Sequence, residues 1–225
     1  LRDYQENVIK NTEIALEKSE RVLIVAGTGA GKTVISSSLI HKAIAQKKKV
    51  LFLVHRNVLI DQTLEEFKAW GMVAGVVAGA YPEKPDHLVQ IASCQTLSRR
   101  SLDWFDFNLA VFDEAHITAF SESALSFFPK LRNNSTSRGR KLIGLTATPF
   151  RLNPQEKMGD IFESLVCAPV PKALIESNYL SKPVYYAIDT IKTSDLKVGR
   201  GKDFTKKDLE VRCNVPEVIE SAVGH

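Results

Sequence analysis

The sequence predicts an α/β domain, a mostly parallel sheet with helices on both faces, followed by a C-terminal extension. Three observations predict it. Short β-branched runs alternate with stretches of helical apolar spacing. The runs are continuously apolar, as strands covered on both faces are. The first run ends abruptly in glycines just before a helix. With 225 residues, 44% apolar and 25% charged, the chain can bury a full core.

In order, Tyr4, Val8, Ile9, Ala15 and Leu16 form an apolar stripe among charged neighbours, which predicts a helix over residues 3–19. Arg21 to Ala26 is a strand that runs into Gly27-Thr28-Gly29-Ala30-Gly31. Val34, Ile35, Leu39, Ile40, Ala43 and Ile44 mark a second helix over 33–46. Val50 to Val54 reads as a strand and Leu59 to Trp70 as a helix. Leu88 to Ala92, Leu109 to Phe112 and Leu142 to Leu145 read as further strands. Alternation of this kind argues for βαβ units in a doubly wound sheet.

Two regions break the rhythm. Residues 130–141 hold five bases and no acid, with the Asn, Ser, Thr and Gly content of a loop. From Lys182 onward the alternation fades, leaving a strand at Val184 to Ile188, a charged stretch and a short helix after Pro216. The expected division is therefore a domain over 1–182 and an extension over 183–225. The chain opens Leu1-Arg2-Asp3 without an initiator methionine, as a piece of a longer protein would.

Composition removes several classes. The net charge of +4 suits an anionic partner without demanding one. Cysteines at 94, 167 and 213 make neither a disulfide framework nor a zinc pattern, and a reducing cytoplasm is the expected setting. His41, His87 and His225 lack ligand spacing. Gly71 to Ala80, the longest weakly polar stretch, is too short to cross a bilayer. Lys47-Lys48-Lys49 reads as a solvated cap between helix and strand. Trp104, Phe105 and Phe107 read as core before the Leu109 strand, and Cys94 as a small core residue.

Ala26 to Thr33, following a strand and opening a helix, has the context of a P-loop. Gly27, Thr28, Gly29, Ala30 and Gly31 let successive N–H groups point at one anion, reinforced by the helix terminus. Lys32 then reaches the β- and γ-phosphates, and the Thr33 hydroxyl ligates Mg²⁺. Ala26 stands where the strict pattern has Gly. The bland alternative is a Gly-rich βα turn with a solvated lysine.

A phosphate cradle of this type needs a second metal anchor and a group to orient the attacking water. The apolar run Leu109 to Phe112 delivers Asp113 and Glu114 at its carboxyl end, where open α/β sheets bind ligands. Asp113 is the candidate Mg²⁺ holder and Glu114 the candidate base. Lys32, Asp113 and Glu114 are thus the candidate catalytic residues, with ATP and Mg²⁺ as cofactors.

On these residues the sequence resembles the DEAH-type helicases and translocases of superfamily 2. Leu1-Arg2-Asp3-Tyr4-Gln5 looks like the adenine-reading block, with Gln5 the reader. Asp113-Glu114-Ala115-His116 spells the DEAH box, and Thr146-Ala147-Thr148-Pro149-Phe150-Arg151 resembles the coupling motif. Leu53 to Asn57 and Ser93 to Arg100 are similar to the segments that grip nucleic-acid phosphates. With Tyr179-Leu180-Ser181 downstream, the likeness is closest to the RadD and type III restriction-subunit branch. The resemblance implies one RecA-like P-loop NTPase lobe over about residues 1–182. It implies coupling roles for His116, Thr146 and Thr148. Arg56, Gln95, Thr96, Arg99 and Arg100 become candidate nucleic-acid contacts, DNA being favoured over RNA; ordinary solvated surface is the competing reading for the arginines.

The family uses two such lobes with ATP between them, and the second supplies arginine fingers. No Gln-x-x-Gly-Arg-x-x-Arg block occurs in this sequence. The expectation is an ATP-binding lobe of a nucleic-acid-dependent ATPase that turns over when a second lobe completes it. A truncated nucleotide- and nucleic-acid-binding module without productive turnover is the alternative.

Overall fold

The computed structural model describes residues 1–78, 81, 86–97, 106–119, 140–150 and 155–184. The helical stripe near the start becomes α1, Asp3–Lys18, with Tyr4, Val8 and Ile9 buried. Strand β1, Arg21–Val25, leads through the glycine turn to α2, Lys32–Ala45. β2 is Val50–Val54 and α3 is Leu59–Ala69. Two strands follow, β3 at Ala74–Val77 and β4 at Val89–Ser93, then the single turn α4 at Cys94–Leu97. β5, Leu109–Phe112, is followed by α5, Ala115–Thr118, and β6 is Lys141–Thr146. A 3₁₀ turn at Met158–Asp160, strand β7 at Ser164–Cys167 and helix α6 at Pro171–Glu176 complete the order.

The described strands form one parallel sheet in the order β3-β4-β2-β5-β6-β1-β7. Side chains alternate across it. Val50, Phe52 and Val54 join one core with residues of α1, α2, α3 and α6. Leu51 and Leu53 join the other, which includes Phe107, Phe112, Ala115 and Phe162. Helices on both faces are thus what the continuously apolar strands require.

Two strands went unread in the sequence. β3 lies inside the glycine-rich 71–80 stretch, and β7 falls on the short apolar run Leu165-Val166-Cys167-Ala168. Both are edge strands; in β7 only Val166 is buried, whereas β3 is mostly buried but interrupted by Gly75. Lys141, taken as the end of a loop, begins β6 opposite Leu109; the remaining loop, apart from Arg140, lies outside the described residues. Phe107 and Cys94 are buried, whereas Trp104 and Phe105 lie outside the described residues. Lys47 and Lys48 are exposed in the turn between α2 and β2. Residues Leu1–Leu180 make one compact unit and Ser181–His225 a second, of which residues 181–184 are exposed and irregular. The strand read at Val184 to Ile188 and the helix after Pro216 otherwise fall outside the described residues. Among the described residues, no helix is long and apolar enough to cross a membrane.

Candidate active site

Because the strands are parallel, their carboxyl ends share one edge of the sheet. Register then places the chemistry: Val25 pairs with Thr146, and Phe112 pairs with Gly144, so the residues after β1, β5 and β6 meet at one crevice.

The turn after β1 is tightened by the Ala30 N–H, which donates to the Gly27 carbonyl at 3.0 Å. Gly29 and Gly31 have φ of 79° and 78°, a left-handed backbone open to glycine at little cost. Gly31 is the cap residue of α2 and makes no side-chain cap bond, so the first N–H groups of α2 face outward without an internal partner from that residue. A β-carbon on Gly31 would collide with Gln5 Nε2. Such a cradle, backed by the positive end of a fourteen-residue helix, fits a phosphate group.

Gln5 is 5% exposed and packs onto this cradle. Its side-chain oxygen accepts the Arg2 N–H at 3.0 Å, half of a capping box, and its Nε2 lies 3.4 Å from the Ala30 carbonyl. In the sequence Tyr4 stands as an apolar helix-face position and as a member of the Leu1–Gln5 block, with no role of its own. In the structure its hydroxyl donates to the same Ala30 carbonyl at 3.0 Å, fastening α1 to the turn. Its place directly before Gln5 was the available signal.

Lys32 is the first residue of α2, and its Nζ reaches to 3.9 Å from Glu114 Oε1. Thr33, also in the first turn, is exposed. Asp113 follows β5 with its N–H bonded to the Leu53 carbonyl at 3.0 Å. Burial, then the neighbouring Glu114 charge, push the Asp113 carboxyl above its ordinary range, against the opposing pull of the Glu114 N–H and Lys32. Glu114 itself sits at φ 45° and ψ 55°, left-handed backbone in a residue with a side chain. That conformation turns the chain out of the pleat, so that Asp113 and Glu114 need not point to opposite faces.

From Glu114 the polar contacts run to β6. His116 Nδ1 lies 3.4 Å from Glu114 Oε2 and 3.0 Å from Thr146 Oγ1. The Thr146 hydroxyl donates to the Thr148 carbonyl and accepts the Thr148 N–H, each at 3.0 Å. With that proton used, Thr146 Oγ1 must accept from the imidazole, which assigns the proton to Nδ1. Lys32, Glu114, His116, Thr146 and Thr148 thus form one chain of contacts across three strand ends.

The residues fit a magnesium-complexed triphosphate. A hydroxyl at Thr33 and one half-buried carboxylate at Asp113 suit an ion that completes its shell with water and phosphate oxygens. Among the described residues, no group of three or more His, Cys, Asp or Glu forms an all-protein metal cage.

The candidate nucleic-acid contacts divide. Val54 pairs with Ser93, and two residues beyond each lie Arg56 and Gln95, both exposed at the same edge. Thr96 is 9% exposed, with its hydroxyl 3.0 Å from Ser93 Oγ, so its side chain braces the turn after β4. Arg99 and Arg100 lie outside the described residues.

Residues 1–151 match the family described as type III restriction enzyme, res subunit. The type I restriction enzyme EcoAI endonuclease subunit of Escherichia coli is 33% identical over 162 residues, 66% of this chain and 19% of that protein. This chain therefore spans about a fifth of that relative's length. The Pyrococcus furiosus Hef helicase domain is 26% identical with a TM-score of 0.55, covering 74% of this chain and 37% of that one. The ATP-dependent type ISP restriction-modification enzyme LlaBIII, solved bound to DNA, shares the fold at 20% identity and a TM-score of 0.58, over 79% of this chain and 15% of that one. The parallel sheet, the glycine cradle after β1 and the acidic pair after β5 agree with the match: the chain belongs to the type III restriction enzyme res subunit family and has the RecA-like fold of the N-terminal lobe of superfamily 2 helicases.

Proposed function

We propose that this lobe binds ATP with Mg²⁺ in the crevice and hydrolyses it to drive movement along DNA, as a DEAH-type motor completed by a second lobe. The reading assigns the lobe to about residues 1–182, with 183–225 leading toward that partner, in the cytoplasm. The convergence of Lys32, Glu114 and the uncapped start of α2 carries it.

The backbone N–H groups of residues 27–33 cradle the phosphates, and Lys32 neutralises charge on the β- and γ-oxygens. Thr33 and Asp113 would hold the cation, and the raised pKa of Asp113 marks a half-buried carboxylate whose charge is disfavoured by desolvation and by Glu114 beside it. Bound Mg²⁺ supplies charge neutralisation at the phosphates. Glu114 orients the attacking water and accepts its proton; the contact with Lys32 gives way as the phosphate enters. Gln5 turns toward the base by giving up its long 3.4 Å approach to Ala30. His116, Thr146 and Thr148 carry the state of Glu114 to the edge where Arg56 and Gln95 stand.

The DNA-bound state of LlaBIII supports DNA as the track. If two or three phosphate contacts form, log affinity for single-stranded DNA falls with log salt at a slope of about −1.5 to −3. Arginine fingers contribute about 10³ to 10⁵ in turnover, so the isolated lobe binds Mg-ATP and hydrolyses it slowly. Titration calorimetry with Mg-ATP, followed by steady-state ATPase with and without single-stranded DNA, tests the reading. No binding at millimolar nucleotide refutes it, and brisk DNA-stimulated turnover by this chain alone refutes the need for a second lobe.

A further inference from the structure

Helix α6 ends in a reversal that brings the chain back onto the phosphate turn. Asn178 adopts φ 58°, and the N–H groups of Tyr179 and Leu180 both bond to the Leu174 carbonyl, at 2.8 and 3.1 Å. This left-handed cap directs the next two residues at the crevice. Leu180 Cδ2 lies 2.9 Å from where a β-carbon on Gly29 would stand. The Tyr179 ring packs against Tyr4 with centroids 5.2 Å apart and planes tilted by 59°. The Arg2 guanidinium lies 5.3 Å from the Tyr179 ring centroid, and its Nη1 donates to the Tyr179 carbonyl at 3.0 Å. Tyr4, in turn, holds Ala30. A residue near the end of the unit therefore fixes both neighbours of Gln5 in space, while the residue after it covers the apex of the turn.

We propose that Tyr179 is a positioning residue for the nucleotide base: it holds Arg2 and Tyr4 so that Gln5 meets the purine, and it acts on the base end of the ligand while leaving the phosphate end unchanged. The inference rests on the reading of the crevice as an ATP site. The ring and the carbonyl make the contacts, so the hydroxyl is dispensable. Asn178 belongs to the same device, because only a residue tolerant of left-handed backbone aims Tyr179 correctly.

Calorimetric titration with Mg-ATP and, separately, with magnesium tripolyphosphate tests it. Tyr179→Ala should weaken Mg-ATP about tenfold and change tripolyphosphate affinity less than twofold. Tyr179→Phe should restore wild-type values. Tyr179→Leu, which keeps apolar bulk for folding, should show the same selective loss; Asn178→Val should also weaken Mg-ATP, whereas Asn178→Gly should not. Equal losses for both ligands, or no loss, overturn the role of Tyr179. Wild-type chain that binds neither ligand instead overturns the underlying reading of the crevice.

Discussion

Two strand ends meet at the crevice with the same unusual backbone and opposite solutions to it. After β1 the left-handed positions are Gly29 and Gly31, where the conformation costs little. After β5 it is Glu114, where a β-carbon makes it cost about 1–2 kcal/mol. The difference follows from what each end must present. On the proposed reading the working groups at the β1 turn are main-chain N–H donors, which side chains would obstruct. On the same reading the working group at the acidic end is the side chain itself, so glycine would not substitute and the strain is retained.

The largest effect should come from the one side chain the phosphate turn does need. Lys32→Ala should weaken Mg-ATP binding by roughly 10²-fold, a charged hydrogen bond being worth about 1.5–3 kcal/mol, as read by calorimetry. Glu114→Gln should leave that affinity nearly intact while lowering turnover about 10²- to 10⁴-fold, since the amide keeps the shape but accepts no proton. If both variants lose binding equally, the division between a binding end and a reacting end is wrong.

Strain itself can be tested next. Gly31→Ala should destabilise the protein by about 1–2 kcal/mol and should also disturb Gln5, which a β-carbon would strike. Glu114→Gly should change stability in the other direction, by about 1 kcal/mol or less, because relief of strain is offset by the greater chain entropy of glycine when unfolded. Thermal melts without nucleotide decide both signs.

The smallest effect lies away from the crevice, at Glu163. Burial there raises its pKa, but the Glu20 N–H and the paired Arg21 outweigh it and leave the carboxyl below its ordinary 4.5. A depressed acid adds stability that is present above the unfolded pKa and disappears as pH falls through the folded one. Glu163→Gln should therefore lower the melting temperature slightly at pH 7, and the gap to wild type should shrink on acidification below about pH 4.5. A gap independent of pH would assign the contact to shape, not charge.

Legibility tracked burial and contiguity. The central strands β1, β2, β5 and β6 are flanked on both sides and covered on both faces, so each leaves an uninterrupted apolar run. β3 and β7, with one neighbour apiece, leave weaker marks: a run broken by Gly75 in β3 and only Leu165 to Ala168 at β7. The glycine turn after β1 and the acidic pair after β5 stand out in the sequence because each is a contiguous segment. What joins them does not: the contacts Lys32–Glu114, His116–Thr146 and Tyr4–Ala30 depend on how strands are ordered in the sheet, which no local pattern encodes. Thr96 shows the converse, a hydroxyl marked as a candidate contact that the fold spends on a neighbouring serine.

The place of β1 has a consequence for synthesis. Among the described strands β1 comes first in chain order, yet its neighbours are β6 and β7, whose residues begin at Lys141 and Ser164. Its apolar backbone must wait, unzippered on both sides, until most of the unit has been translated. Closing such distant pairs is slow, and an open strand in the interval invites association with other chains. A version cut short of Ser164 would carry one raw margin on β1 permanently, and one cut before α6 would also strip Leu174 from the core.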